Sequence, residues 1–359
     1  MKKIFLLPLA LLALVSCGDD DSKIAPIEQV SEGTVFGTAE HPINIGGSNQ
    51  QNEVFIDLSE ESTTVVSRDS WDLGFYSGSG FKVVTNGAIV MAAKELQTTD
   101  ITLPQTEDAT VAVGTFSPEN MAYVNNPNGD LNDRTFNTAF DDIATTEATA
   151  KVVLLNLGRT VPTTPAAAGS VNVAGTPRGW KKVKVWQDAG GYKLQYADLA
   201  SATPTTVSIA KDAAYNHVFF SLTANAKVVA QPETAKWDIS FTTFTNQVFQ
   251  DAVSAGSYFY SDYTVTNRLG GVTAVKITGD AAAYDAFSLT TLATGKYTFN
   301  ADQRAIGADW RDVITRVVFN DVFFVLKDAS GNYYKIKFIS LLNANGERGY
   351  PVFQYALLK

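Results

Sequence analysis

The chain has 359 residues, with 37 acidic side chains against 28 basic ones, a net charge of −9 and one cysteine. An acidic surface argues against nucleic acid and anionic lipid as partners, and one cysteine excludes a disulfide framework. From residue 33 onward more than 300 residues remain, which is more than one usual domain, so two are expected.

Residues 1–16 read as a targeting signal. Lys2 and Lys3 precede an almost wholly apolar stretch from Ile4 to Val15, which is too short to span a bilayer as a helix. Leu14-Val15-Ser16-Cys17 follows, a lipobox in which Cys17 takes the lipid and supplies the membrane attachment. Residues 17–32 read as an acidic, flexible tether. Its run Gly18-Asp19-Asp20-Asp21-Ser22-Lys23 is either a bare solvated linker or a surface-export signal. The expected location is the outer membrane, lipid-anchored and facing the cell surface.

The body reads as strands. Glu53 to Leu58, Val218 to Leu222 and Val322 to Leu326 are short runs rich in β-branched and aromatic residues, punctuated by Asn, Asp, Gly and Pro. Tyr334 to Ile339 alternates apolar and basic residues, as a strand with one wet face does. Short helices are expected over Phe136 to Ala144 and Tyr284 to Leu292. The fold class is all-β, antiparallel and sandwich-like.

The body is also a repeat. Asn52-Glu53-Val54-Phe55-Ile56-Asp57-Leu58 matches Asn216-His217-Val218-Phe219-Phe220-Ser221-Leu222. Trp71-Asp72-Leu73-Gly74-Phe75 then matches Trp237-Asp238-Ile239-Ser240-Phe241. A third match sets the hairpin around Asp188 against that around Asp328. The copies are placed at 33–203 and 204–359. The four large rings Trp71, Phe75, Trp237 and Phe241 are expected in a core, with Asp72 and Asp238 pairing backbone donors at a strand edge. Copy one carries extra length, including Thr160 to Ser170, which reads as a mobile loop.

These blocks, with Tyr334 to Ser340, Gly349 to Tyr355 and the Asn86-Gly87 turn, resemble the HmuY family of Bacteroidetes surface lipoproteins, which bind haem outside the cell. The likeness covers residues 50–95 and 180–359. It implies two tandem β modules, with haem as cofactor or cargo and delivery to an outer-membrane transporter. Haem takes axial ligands such as His, Met, Tyr or Cys. The resemblance puts them between the Trp-Asp strand and the last hairpin. In copy two that span, 247–315, holds no His, Met or Cys, only tyrosines. Copy one offers Met91 and Met121. Met121, with Tyr123 beside it, is the candidate ligand-binding pair, against the competing reading of methionine as core filler. His217 falls beside Val218 and reads as a wet-face histidine; His41 lies near the tether. The alternative function is a module that kept the fold, lost haem and grips another ligand or a protein.

No enzyme is expected: catalytic elbow, phosphate loop and metalloprotease motifs are missing from the sequence. Asp141-Asp142 reads as solvent-exposed. Asn125 to Asp133 has oxygens but not the spacing of a calcium loop, and no metal site is assigned.

Overall fold

The computed structural model describes residues 30–136 and 138–359; the signal, Cys17 and most of the tether lie outside the described residues. In chain order the strands are β1 (Val35–Phe36), β2 (Asn52–Asp57), β3 (Ser62–Ser67), β4 (Leu73–Tyr76), β5 (Val83–Thr85), β6 (Ala92–Glu95), β7 (Val152–Asn156), β8 (Trp180–Asp188), β9 (Gly191–Ala197) and β10 (Thr205–Ile209). There follow β11 (His217–Ser221), β12 (Ala226–Val228), β13 (Ile239–Gln250), β14 (Val253–Thr266), β15 (Thr273–Thr278), β16 (Arg311–Asp312), β17 (Val317–Val318), β18 (Val322–Lys327), β19 (Tyr333–Leu342) and β20 (Arg348–Leu357). The helix expected at Tyr284 to Leu292 is two short helices, Ala281–Ala286 and Leu289–Thr294; the stretch expected at Phe136 to Ala144 holds turns instead.

Two sandwiches result, and all named strand pairs are antiparallel. In the first, the sheet β12-β11-β4-β5 packs on β10-β9-β8-β7-β6. Its core sets Leu73, Phe75 and Phe220 against Leu155, Val183 and Leu194. In the second, β14-β13-β2-β3 packs on β1-β20-β19-β18-β15, with Ile56, Ile239 and Phe241 against Phe324, Ile336 and Phe353. Burying such faces is what stabilises a two-layer β fold, at roughly 25 cal/mol per Å² of apolar area.

The sandwiches do not follow the sequence copies. The first strand of copy two, β11, pairs with the Trp-Asp strand of copy one, β4, setting Phe219 opposite Gly74. Reciprocally, β2 of copy one pairs with β13 of copy two, setting Phe55 opposite Ser240. The fifth strands are exchanged too: β10 joins the sheet of copy one and β1 that of copy two. Each copy therefore lends its opening strand and hairpin to the other. Residues 31–359 form one compact unit. The first sandwich is contiguous in sequence, and its core runs from Leu73 to Leu222.

The exchange is sewn by the aspartates of the repeated motif. Asp72 Oδ2 accepts the Leu222 N–H at 2.7 Å, and Asp238 Oδ2 accepts the Leu58 N–H at 2.9 Å. The asparagines after each motif match as well. Asn86 donates to the carbonyls of Arg68 and Trp71, and Asn267 to those of Thr234 and Trp237. Counted from these anchors, β6 and β15 occupy matching places, so β8–β9 matches β19–β20. The third block match is thus one strand out of step: Asp188 turns β8 into β9, whereas Asp328 turns β18 into β19. Hairpin motifs repeat within a meander, which makes this slip easy from sequence. The loop at Thr160 to Ser170 is tied down rather than loose. Asn49 Nδ2 donates to Thr164 O at 2.8 Å, and the Gly169 N–H to Gly346 O at 2.7 Å.

Candidate functional site

Side chains alternate along a strand, so each exchanged strand has one face in its sandwich core and one facing away. In β2, Val54 and Ile56 enter the core; in β11, Phe220 does. The opposite faces, Glu53 and Phe55 on one side and His217 and Phe219 on the other, line a single cavity of about 200 Å³ between the sandwiches.

Its aromatic walls repeat the exchange. Phe55 packs edge-on to Trp237 at 5.1 Å between centroids, and Trp71 to Phe219 at 4.6 Å. Each pair joins one copy to the other. Trp237 is buried, but Trp71, expected in a core, is only partly so, because it stands in the cavity wall.

The matched positions Glu53 and His217 differ in their partners. Ser240 Oγ donates to Glu53 Oε1 at 2.8 Å. The counterpart of Ser240 is Gly74, which has no side chain to offer, and His217 Nε2 has no hydrogen-bond partner. Burial pushes the Glu53 carboxyl up to about 7, partly offset by the Ser240 bond. Burial also pulls the His217 imidazole down to about 4, so it is neutral at neutral pH. The wet-face reading of His217 is overturned: the residue is 9% exposed, because the face its strand turns from the core is covered by the other sandwich.

Four more polar atoms in this lining are buried without partners: Trp237 Nε1, Thr242 Oγ1, Gln231 Oε1 and Asn126 Nδ2. A buried polar atom left unpaired costs roughly 1–3 kcal/mol. Several around one cavity mark a surface shaped for something other than the protein itself. The formal charges in the wall are mostly compensated. Arg268 pairs with Asp130 at 2.8 Å, Asp141 with Arg134 at 3.1 Å, and Lys82 Nζ donates to Asp141 O at 2.6 Å.

The residues singled out from sequence sit elsewhere. Met121 is buried in the 3₁₀ turn Pro118–Tyr123, where the neighbouring Asn120 Oδ1 accepts from Ser257 N–H at 2.8 Å. Tyr123 packs beside Ala92, Val111 and Leu154. Neither lines the cavity. Met91 does, while also belonging to the first core. His41 stacks edge-on to Phe36 on the second sandwich, 3.9 Å from Glu61. The oxygens of the Asn125 to Asp133 loop are spent internally: Asn125 Oδ1 accepts from the Thr85 N–H and Asn128 Oδ1 from the Asp130 N–H. Among the described residues no cluster of three His, Cys, Asp or Glu is arranged to hold a metal ion, and no helix is long and apolar enough to cross a membrane.

The sequence signal that pointed to the cavity was the Glu53/His217 register, a titratable residue opening each repeated strand. A family model described as HmuY protein matches the chain twice, over residues 49–202 and 213–355. No curated protein and no solved structure matches.

Proposed function

The chain belongs to the HmuY protein family, and on that premise we propose that it is a membrane-tethered binding protein, not an enzyme, whose ligand sits in the cavity between the sandwiches. The observation that carries this is the set of five buried, unpartnered polar atoms in an aromatic-walled cavity built by both copies. Ligand sites are concave, mostly apolar, and set by a few polar groups. Cys17 supplies the anchor, with the outer-membrane surface as the location. A transporter that takes up the ligand is the expected partner.

Haem is the ligand that family membership brings to mind, and the residues do not fit it. A cavity of about 200 Å³ is smaller than the roughly 300–1,000 Å³ of sites enclosing drug-sized molecules, and a porphyrin is at least of that size. His217 is the one imidazole in the wall, and Met121 and Tyr123 are outside it. The reading favoured here is the family member that binds a smaller, non-haem ligand. A haem titration of the full chain, followed by Soret absorbance, tests it. The expected result is a broad, shallow change that His217→Ala leaves unaltered. A sharp six-coordinate spectrum abolished by His217→Ala would overturn the reading and make the free Nε2 an axial ligand.

A further inference from the structure

Resting on that assignment of the cavity, we infer that its ligand is a small, uncharged, planar nitrogen heterocycle of one or two fused rings. Four observations converge on this class.

The first is size. About 200 Å³ admits one compact molecule and leaves no room for a long tail. The second is wall chemistry. Phe55, Trp71, Phe219 and Trp237 supply flat π surfaces from both sandwiches, and a planar ring gains most from such walls by stacking or edge contact.

The third is the complement of free polar atoms. Trp237 Nε1 can only donate, Asn126 Nδ2 donates, Gln231 Oε1 accepts, and Thr242 Oγ1 and His217 Nε2 can do either. These are single, separate atoms of mixed sense. A heterocycle presents such a pattern on its edge: ring nitrogens, N–H groups and exocyclic oxygens or amines between two apolar faces. A sugar, with hydroxyls around its whole rim, would leave most of its polar atoms unpaired against these rings.

The fourth is charge. Arg268, Asp141 and Lys82 are already engaged, and burial keeps His217 neutral. Glu53 faces the cavity with a hydrogen bond from Ser240 and no ion pair among the described residues. Burial favours its protonated form, which donates with one oxygen and accepts with the other, the pairing that an N–H and carbonyl edge takes. A fully charged ligand would have to give up its hydration to a wall with little to return.

The test is isothermal titration of the full chain with adenine, guanine, cytosine and uracil, beside glucose, phenethylamine and haem. Trp237→Phe keeps the ring and removes the donor; Thr242→Val removes a hydroxyl with little change in shape. The expected result is saturable one-to-one binding of at least one base, weakened about tenfold by either variant, as loss of a hydrogen bond of roughly 1.4 kcal/mol predicts. Unchanged melting temperatures in both variants keep the comparison clean. Binding of glucose or phenethylamine in place of any base, weakened by the same variants, would overturn the ligand class while leaving the cavity as the site. Base binding that neither variant alters would overturn the placement. Binding of none of the probes, or of haem alone, would overturn the inference.

Discussion

Asp72 accepts the backbone N–H of Leu222 at 2.7 Å, so the motif aspartate of one repeat terminates the opening strand of the other. Asp238 does the same for Leu58. The two aspartates differ in what else they meet. Arg178 Nη1 lies 2.8 Å from Asp72, and no cation lies against Asp238 among the described residues. Asp72→Ala strips a buried pair of one member and leaves both Arg178 and the Leu222 N–H unsatisfied. Chemical denaturation is expected to show a loss of about 3–5 kcal/mol. A loss below 1 kcal/mol would mean that the crossing does not depend on this carboxylate.

Strand exchange predicts which fragments fold. Residues 69–231 contain both sheets and the whole core of the first sandwich. They are expected to give a cooperative thermal transition as a monomer. Residues 33–203, one sequence copy, lack β11 and β12 and carry β1 to β3 without their partners. This fragment is expected to be unfolded or to associate through its exposed edges. A cooperative, monomeric melt of 33–203 by circular dichroism would refute the exchanged pairing.

Opposite pH slopes are expected from His217 and Asp238. The imidazole falls from 6.5 to about 4 on folding. Between those values the unfolded chain takes up a proton that the native state refuses, so stability declines as pH drops from 6.5 to 4. Asp238 rises from 3.8 to about 7, chiefly through burial, with Asp57 and Asp328 adding repulsion against the Leu58 N–H bond. Here the native state holds the extra proton, and stability declines as pH climbs from about 4 to 7. Each slope is at most about 1.4 kcal/mol per pH unit. His217→Phe should gain on wild type toward acid, and Asp238→Asn toward neutral pH. Parallel curves for wild type and both variants would contradict this.

The tryptophans are expected to separate. Trp237 is 6% exposed and Trp71 is only partly buried. Trp237→Ala should cost about 3–5 kcal/mol, the range for a large aromatic in a core, and Trp71→Ala clearly less. Equal losses in urea unfolding would place Trp71 in a core instead.

Cys17→Ser is expected to release the protein from the membrane fraction, with mass spectrometry finding acyl chains on Cys17 in the wild type. Sedimentation of the variant with membranes would dispose of the anchor assignment.

The sequence by itself determined the local physics. Runs such as Val218 to Leu222 and Tyr334 to Ile339 become strands because their side chains suit a pleated surface, and the two Trp-Asp motifs disclose the duplication. Period-two alternation fixes which side chains share a face, but it does not name the partner strand. The opening strands of the two copies carry nearly the same pattern, and so do the two Trp-Asp strands, so β2 can satisfy its hydrogen bonds and apolar face against β4 or β13 alike. Only the closed tertiary structure chose β13. That choice covers the face that sequence reads as wet, turning His217 and Glu53 inward, and it assembles the cavity from residues as distant in the chain as Phe55 and Trp237. Met121 has the chemistry of a ligand and the wrong location, because reach into a site is a property of packing, which a one-dimensional spacing does not encode.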